Sequence, residues 1–309
     1  MVPVARKLTI DRFENSKPDV LVFTSPKAGS GRGREQIPAL IEALHQLGLE
    51  ASLVHHVDVL AQQVSASRFP VVVAAGGDGT ICLAAATLGC EVPIVPMPLG
   101  TENLLARYFG HQANAESVIE TIRHGSVFQI DRGMANGKPF LIMATCGFDA
   151  EVVRAMHLTR RGHIRRLSYL RPIFRALRAY RFPNLSVTID SQEKFDCCWA
   201  MVFNLPRYGG GLNIEAKAVG DDGQLDVILF EKGSILSGLK YLFGIWLGRH
   251  HEFSDVIRRR CRSVSIESVG RVPCELDGDY SGRLPLEIEI EPKQVQIYLP
   301  PNSSISQRP

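Results

Sequence analysis

The sequence predicts two domains, a parallel α/β domain followed by an antiparallel β-sandwich. With 309 residues, the chain is long for one hydrophobic core and suits two. Up to about residue 125, apolar runs alternate with segments of helical periodicity, which is typical of a parallel sheet covered by helices. Beyond that point the sequence changes to short alternating strands separated by turns, as in a sandwich of antiparallel sheets.

The first domain is expected to span residues 19–127, after a loosely held leader at residues 1–18. Its four predicted strands are "DVLVFTS", "EASLVHH", "PVVVAAG" and "VPIVPMP". Between the first two, "REQIPALIEALHQLG" carries apolar residues at helical spacing, and a second helix is expected at 58–66. Strands and helices that alternate in this way predict a parallel sheet.

The second domain is expected to span residues 128–294. It opens on the hairpin "SVFQIDRGMANGKPFLIMATCGF", whose predicted turn is Asn136-Gly137. Further strands are predicted in "LSVTIDSQEKFDCCWAMVFN", "GQLDVILFE", "RSVSIESV" and "PLEIEIEPKQVQIYLP". Two helical stretches, at about 150–181 and 234–249, interrupt these strands.

Composition narrows the class of protein. The chain is 45% hydrophobic and 22% charged with a net charge of +3, which is too weakly basic to indicate a nucleic-acid partner. Its seven cysteines form no C-x-x-C pair, so we expect reduced thiols. No signal-peptide core and no apolar stretch of membrane-spanning length is visible. A cytoplasmic protein with at most peripheral membrane contact is therefore expected.

Three glycine-containing turns follow predicted strands of the first domain: "TSPKAGSGRG", "GGDGT" and "PLGTENLLAR". Ligands of open α/β sheets bind at the carboxyl ends of the strands, so these turns should converge on one edge. Small residues let backbone N–H groups approach an anion at a helix N-terminus. At Gly77 and Gly79, a side chain would block that approach and would demand a disfavoured φ. A single turn of this kind is most often only a turn, but the set is more specific.

Six motifs give the chain a family resemblance. They are "SPKAGSGRG", "AAGGDGT", "PLGTENLLAR", "CGFDAEV", the segment from "YGGGLNI" to "DDGQLDV", and "ELDGD". In this order they resemble the diacylglycerol kinase catalytic family, which includes YegS-like lipid kinases and sphingosine kinases. The resemblance implies an α/β nucleotide domain, a β-sandwich domain for the lipid acceptor, and an active site in the cleft between them. It also implies that residues 295–309 return to the first domain.

The resemblance implies ATP and Mg²⁺ as cofactors, with the phosphates cradled by small residues and bridged by the metal. Asp78 would interact either with the metal ion or with the phosphates in this site. The nucleotide-site residues implied by the resemblance are Ser25, Pro26, Lys27, Ala28, Gly29, His56, Gly76, Gly77, Asp78, Gly79, Thr80 and Thr101.

Two further groups of acids matter in the second domain. Asp277 and Asp279 match the family's D-G-E motif, whose carboxylates are assigned to general-base work. In an extended segment, residues two apart point to one face, so both carboxylates could look into the cleft. The competing interpretation is an ordinary Asp-Gly turn. The structural metal ligands implied by the resemblance are Asp222 and the backbone carbonyls of Val219 and Gln224.

The sequence departs from the family pattern at three places. "GGDGT" continues as Ile81-Cys82-Leu83 and not as Leu-Asn-Glu, and "GTEN" is followed by Leu104 where the family has Asp. The family's D-G-E is D-G-D here. Each change removes or shortens a polar group near the expected phosphates, and Glu102 could compensate. A catalytically weak paralogue is therefore an alternative.

Residues 154–182 predict a basic amphipathic helix suited to an anionic membrane surface, although a core-packed helix with a solvated basic face fits the pattern equally well. The stretch 235–248 is apolar around much of its circumference. We expect a buried or lipid-pocket helix there and not a spanning one, because Lys240 interrupts it.

The function predicted from the sequence is an ATP-dependent lipid kinase that phosphorylates a hydroxyl of diacylglycerol or a related lipid. Expected partners are the lipid substrate and an anionic membrane surface, bound peripherally, and a homodimer is left open. One alternative is an NAD kinase-like enzyme, because that family also uses GGDGT. The other is a nucleotide- or lipid-binding regulatory module with little turnover.

Overall fold

A computed structural model describes residues 20–25, 31, 33–66, 71–151, 182–209 and 212–305. The chain forms two compact units. The first comprises residues 1–130 and 293–309, and the second comprises residues 131–292. The predicted basic helix at 154–182 lies almost wholly outside the described residues, as do Pro26, Lys27, Ala28 and Gly29.

The first unit is built on a parallel sheet with strand order β2-β1-β3-β4. Val20 of β1 pairs with Val71 of β3, and Val72 pairs with Ile94 of β4. Every residue of β1, β3 and β4 is buried, as expected for strands covered on both faces. The strands are β1 Val20–Phe23, β2 Ala51–Val54, β3 Val71–Gly76 and β4 Ile94–Pro98.

Five helices follow or connect these strands. α1 places Ile37, Leu40 and Leu44 in the core of the first unit, where they join alternate residues of β1 and β3. The side chain of Asn114 caps α5 by accepting the N–H of Ser117 at 2.8 Å. The helices are α1 Gly33–Gln46, α2 Val57–Ala66, α3 Asp78–Leu88, α4 Leu104–Phe109 and α5 Ala115–His124.

The second unit contains two antiparallel sheets. One has the strand order β12-β11-β10-β7-β14-β15. In the other, β13 pairs with β8 and with the first part of β16, and β8 pairs with β9. The strands that lie wholly or partly in this unit are β5 Ser126–Ala135, β6 Lys138–Phe140, β7 Met143–Cys146, β8 Leu185–Ile189, β9 Glu193–Cys197, β10 Trp199–Phe203, β11 Leu225–Phe230, β12 Val256–Cys261, β13 Ser263–Glu267, β14 Pro273–Leu276, β15 Asp279–Arg283 and β16 Leu286–Leu299. Residues 126–130 of β5 and residues 293–299 of β16 belong to the first unit.

Alternate residues from both sheets form one core in the second unit. Leu225, Val227 and Leu229 of β11 enter it from one sheet, and Leu185 and Val187 of β8 enter it from the other. This is the period-two pattern of a sandwich, in which the inner faces of two sheets interdigitate. The predicted fold class, a parallel α/β unit followed by an antiparallel sandwich, is confirmed.

Two hairpins of the second unit turn on a pair of residues with positive φ. Asn136 and Gly137, at 48° and 75°, connect β5 to β6, as the sequence predicts. Asp277 and Gly278, at 49° and 86°, connect β14 to β15. Two-residue hairpin turns of this kind need positive φ at both positions, which Asn-Gly and Asp-Gly tolerate best.

Helix α6, Ile235–Trp246, begins where the sequence predicts a helix. The Ser234 hydroxyl caps it by accepting the N–H of Ser237 at 3.0 Å. Its inner face is buried, but Leu236 and Trp246 on the outer face are 79% and 69% exposed. The expectation of a buried helix therefore holds for one face only. Among the described residues, no helix is both long enough and apolar enough to cross a bilayer.

Candidate functional site

The carboxyl ends of the parallel strands bring those members of the predicted nucleotide site that the structure describes to one edge of the first unit. Ser25 lies just after β1 and His56 just after β2. The GGDGT loop follows β3, and the loop containing Thr101 follows β4. Because these strands are parallel neighbours, their ends share an edge of the sheet, as the sequence predicts for an open α/β fold.

The GGDGT loop packs closely against the loop after β4. A Cβ added to Gly100 would lie 2.5 Å from the Cα of Gly77, so no side chain fits between these backbones. Gly77 itself has φ −93° and ψ −173°, an extended conformation open to any residue. The expectation that a side chain at Gly77 would demand a disfavoured φ is therefore wrong. The close approach of two loops, and not backbone strain, explains this pair of glycines.

Asp78 joins the same two loops through its carboxylate. Its two oxygens accept the backbone N–H groups of Leu104 and Leu105, each at 2.9 Å. These are the first two residues of α4, where helix N–H groups lack partners within the helix. Burial raises the pKa of Asp78, the two N–H donors oppose that rise, and the charge of Glu102 adds to it. The role of Asp78 toward metal or phosphate stays a prediction, and its observed contacts brace α4.

Asn103 organises the turn before α4, and no role was predicted for it. It has a left-handed φ of 52°. Its Oδ1 accepts the N–H of Gly100 at 2.9 Å, and its Nδ2 donates to the carbonyl of Gly100 at 3.0 Å. Asn tolerates this conformation and closes turns through its own side chain, so an Asn within a glycine-containing turn was the available signal.

Glu102 and Asp78 form the acidic part of this edge. One carboxylate oxygen of Glu102, Oε2, is buried and has no hydrogen-bond partner among the described residues. An orphaned carboxylate oxygen near a second acid is the kind of oxygen ligand that Mg²⁺ uses beside phosphates. The donor set here therefore fits the metal ion that accompanies a nucleoside triphosphate.

In the second unit, the Asp277 carboxylate is hydrogen-bonded to the chain at the start of β7. It accepts three backbone N–H groups at 2.7–2.9 Å, and all three donor residues are buried. Those donors stabilise the ionised carboxylate and occupy most of its acceptor positions. The donors are Leu141, Ile142 and Met143.

Asp279 lies just beyond the turn, is exposed, and begins β15 opposite Leu276. The expectation that Asp277 and Asp279 share one face of an extended segment is wrong, because Asp277 occupies a left-handed turn position. The competing interpretation, an Asp-Gly turn, describes the local backbone. That either carboxylate acts as a general base stays a prediction.

Sequence reasoning missed a buried acid pair next to this turn, formed by Asp149 and Glu275. The hydroxyl oxygen of Thr145 lies 2.9 Å from Asp149 Oδ2 and 2.8 Å from Glu275 Oε2. One hydroxyl hydrogen cannot serve two carboxylates, so a carboxyl group must supply the second proton. The hydroxyl of Tyr208 donates to Asp149, and Glu275 Oε1 accepts the N–H of Gly278 at 2.8 Å.

Burial raises the pKa of Glu275 well above its ordinary value, and the charge of Asp149 raises it further. Burial also raises the pKa of Asp149, while its hydrogen bonds oppose the rise. Glu275 is therefore the protonated member of the pair. Cys274 and Leu276 point into the sandwich core, so alternation would place Glu275 in solvent, and the sequence offered no signal for its burial.

The predicted structural metal loop is held by protein groups. One oxygen of Asp222 accepts the N–H of Gln224 at 3.0 Å, and the other is paired with Arg260. Gly223, between them, donates its N–H to Asp131 at 2.7 Å. Among the residues that the structure describes, no three His, Cys, Asp or Glu side chains are grouped to hold a metal. Both oxygens of Asp222 are therefore held by protein groups, and its assignment as a metal ligand with Val219 and Gln224 stays a prediction.

Comparison with known families identifies the class of protein. The model for the diacylglycerol kinase catalytic domain matches residues 19–135. The model for the YegS C-terminal NAD kinase beta sandwich-like domain matches residues 143–299, about half of the chain. The chain belongs to the diacylglycerol kinase catalytic family of lipid kinases. It is therefore a kinase, and the family implies the use of ATP.

Two relatives show how far the likeness extends. A diacylglycerol kinase of Mycobacterium tuberculosis is 30% identical over 298 residues, covering 91% of this chain and 95% of that protein. A Shewanella frigidimarina protein named "probable lipid kinase YegS-like" is 26% identical over 291 residues, covering 91% and 94%. The similarity therefore includes both units.

Solved structures confirm the fold. A diacylglycerol kinase from Bacillus anthracis superposes with a TM-score of 0.64 at 18% identity, covering 92% of this chain and 97% of that one. Yeast NADH kinase complexed with NADH gives a TM-score of 0.54 at 11% identity, covering 95% and 86%. Yeast NADH kinase therefore shares the fold of this chain.

Proposed function

We propose that this protein is an ATP-dependent kinase that transfers the terminal phosphoryl group to a hydroxyl of diacylglycerol or a related lipid. Family membership supports the reaction class, and relatives named diacylglycerol kinase support the acceptor. The ATP-binding part of this proposal is supported by the close packing of the loops at Gly77 and Gly100, which Asp78 joins through its hydrogen bonds. Phosphoryl transfer depends mainly on such positioning and on charge neutralisation.

In the first unit, the backbone around Gly76 and Gly77 can approach the phosphates because no side chain intervenes. The positive end of the dipole of α3, which begins at Asp78, favours the same negative charge. Asp78 and Glu102 would hold a Mg²⁺ ion, which would supply positive charge to offset that of the phosphates. Lys27, in the first glycine-containing loop, is predicted to add a cation there.

In the second unit, a carboxylate must take the proton of the acceptor hydroxyl as the new phosphoryl bond forms, because that hydroxyl is a poor nucleophile while protonated. Asp277 and Asp279 are the candidates. The three backbone bonds of Asp277 favour a positioning role, in which it fixes the turn. Asp279, exposed at the start of β15, then supplies the base.

A transfer assay with labelled ATP and Mg²⁺ tests the proposal. The acceptors are diacylglycerol, other lipid alcohols with one free hydroxyl, and NAD, each offered separately. Label in a lipid product is the expected result. Label in NAD alone would overturn the proposal in favour of the NAD kinase-like alternative. If calorimetry detects nucleotide binding but no acceptor becomes labelled, the result favours the alternative of a regulatory module with little turnover.

A matched pair of variants assigns the base within the same assay. Asp279→Asn should lower turnover about 10²-fold or more while leaving ATP affinity and the melting temperature unchanged. Asp277→Asn should lower both turnover and the melting temperature. If Asp279→Asn keeps normal turnover and Asp277→Asn loses it with the fold intact, Asp277 is the base.

A further inference from the structure

A chain of hydrogen bonds in the second unit runs from a half-buried tyrosine to the turn of the LDGD motif. Tyr208 donates its hydroxyl to Asp149, whose other oxygen, Oδ2, lies 2.9 Å from the hydroxyl oxygen of Thr145. That hydroxyl oxygen also lies 2.8 Å from Glu275 Oε2, and Glu275 Oε1 accepts the N–H of Gly278 at 2.8 Å. We call this set of contacts the acid-pair chain.

The acid-pair chain is complete only with one extra proton. Asp149 and Glu275 are both buried, and among the described residues neither forms an ion pair with a Lys, Arg or His. Two unpaired buried charges would be costly, so the pair keeps one proton, on Glu275. Every contact then has a donor, because the carboxyl hydrogen of Glu275 serves Thr145 and the Thr145 hydroxyl serves Asp149.

The turn at the end of this chain is held at both of its residues. The N–H of Asp277 donates to the carbonyl of Met143 at 3.0 Å, and the N–H of Gly278 donates to Glu275. The next residue, Asp279, leaves the turn with an exposed side chain. Glu275 therefore fixes the residue that immediately precedes Asp279.

The strand after this turn needs such a restraint because its pairing is irregular. Cys274 pairs with Gly282 but Glu275 pairs with Tyr280, so Ser281 is an extra residue in β15. A bulge of this kind bends a strand and re-aims its side chains. β15 also stands at the end of its sheet, next to β14. Regular ladder bonds alone therefore do not fix the direction in which the turn points.

We propose that Glu275 is a positioning residue of the kinase reaction, which sets the place of Asp279 by holding the N–H of Gly278. Thr145 and Asp149 in turn hold the carboxyl group of Glu275. The inference rests on the proposed function, in which Asp279 takes the proton of the acceptor hydroxyl. A base acts only within hydrogen-bond reach of that proton, and a misplacement of about 1 Å can cost about 10²-fold in rate. Because Glu275 is fully buried, it acts through the turn and not on the acceptor.

The variants Glu275→Gln and Glu275→Met separate this role from packing. Both new side chains are unbranched and close to glutamate in length, but only the amide can accept the N–H of Gly278 and donate to Thr145. With labelled ATP, Mg²⁺ and diacylglycerol, Glu275→Met should lower kcat at least about tenfold and leave the KM for ATP unchanged. Glu275→Gln should keep both values. A normal kcat in Glu275→Met, or an equal loss of kcat in the two variants, would overturn the inference.

Glu215→Gln controls for stability. Glu215 is another buried glutamate of the second unit, and it is paired with Arg258. Its substitution should lower the melting temperature and leave kcat nearly unchanged. A kcat that merely follows the melting temperature in all three variants would contradict a positioning role. If Glu275→Met does not fold, Thr145→Val gives the same test, because it removes the hydroxyl between the two acids and keeps the side-chain shape. A normal kcat in Thr145→Val would then overturn the inference.

The amide resonance of Gly278 reports on the turn without ATP or lipid. Protein labelled with ¹³C at the aspartate carbonyls and ¹⁵N in glycine gives signals from the three Asp-Gly pairs of the chain, at Asp78, Asp222 and Asp277. Asp277→Asn removes the Gly278 signal and so assigns it. The signal should move in Glu275→Met, which has lost the acceptor, and stay in place in Glu275→Gln. An unmoved signal in Glu275→Met would overturn the inference even if kcat falls. A wild type that labels no lipid would overturn the proposed function and the catalytic part of this inference, while the Gly278 signal still decides whether Glu275 fixes the turn.

Discussion

The GGDGT loop of the first unit and the LDGD turn of the second unit use an aspartate in the same way. Asp78 accepts N–H groups from residues 26 and 27 positions away, and Asp277 accepts them from residues 134–136 positions away. Asp78 begins a helix and bonds to the start of another helix. Asp277 occupies a left-handed turn position and accepts N–H groups from the two residues before β7 and from the first residue of β7.

The difference lies in the number of N–H groups that each carboxylate holds. Asp78 accepts two of them at the start of α4, and Asp277 accepts three at the start of β7. All five donor residues are buried, so each N–H group would be left unsatisfied without its carboxylate. Both aspartates therefore stabilise the fold whether or not they take part in catalysis, and we expect Asp277 to contribute more.

Asp277→Ala should have the largest effect on stability. Three buried N–H groups lose their acceptor, at about 1–2 kcal/mol each, and alanine is strained at the left-handed φ by about 1 kcal/mol. We expect a loss on the order of 4 kcal/mol in the free energy of unfolding, measured with urea. The exposed Asp279→Ala, two residues away, is the control and should stay within about 0.5 kcal/mol. Similar losses of unfolding free energy in both variants would show that the three hydrogen bonds to Asp277 do not stabilise the protein.

Asp78→Ala should cost less, about 2 kcal/mol, because two N–H groups lose their acceptor and not three, and because Asp78 has no left-handed φ at which alanine would be strained. Nucleotide affinity should fall with it, since the loops after β3 and β4 lose their bridge. The control is Asp58→Ala, an acid in the first turn of α2. Urea unfolding and calorimetry with ATP check both quantities. A normal ATP affinity in Asp78→Ala would show that the bridge does not shape the nucleotide site.

Gly100→Ala tests the contact between the loops without changing charge. Its Cβ would lie 2.5 Å from the Cα of Gly77, so one loop must move, at a cost of about 1–2 kcal/mol, which is typical of modest overpacking. ATP affinity should weaken more than stability. Gly209→Ala, where a Cβ meets nothing within 4 Å, is the control. A retained ATP affinity in Gly100→Ala would mean that the close approach serves packing alone.

Elements whose signal lies within a short stretch of the chain could be predicted from the sequence. Continuous apolar runs predicted β1, β3 and β4, and Asn136-Gly137 predicted its hairpin, because each signal lies within the element that it describes. The donors to Asp277 could not be predicted, since they lie more than 130 residues away in sequence. Glu275 reads as a solvent-facing strand residue, because alternation cannot show that a second layer covers the outer face of a sheet.

Glu275→Gln should have the smallest effect on stability near pH 4.5, and its stabilising effect should grow as pH rises. The pKa of Glu275 is raised in the folded state from its ordinary value of 4.5, through burial and the charge of Asp149. As pH rises above that value, the unfolded chain releases this proton while the folded chain keeps it. The unfolded state then binds fewer protons, so the free energy of unfolding falls with pH until the raised pKa is passed.

Glutamine keeps the shape of the protonated acid and cannot ionise. Its carbonyl can accept the N–H of Gly278, and its amide can donate toward Thr145 and Asp149, as the protonated carboxyl does. The variant should match the wild type near pH 4.5 and become relatively more stable as pH rises, by about 1 kcal/mol per unit of pKa shift passed. Urea unfolding from about pH 5 to about pH 8 measures the two slopes.

Asp149→Asn is the contrast, because it removes the ionised acceptor of Tyr208 and Thr145 and should destabilise the protein throughout that range. Parallel curves for Glu275→Gln and the wild type would mean that Glu275 is ionised in the folded protein, and the shared proton of this pair would then have to sit on Asp149.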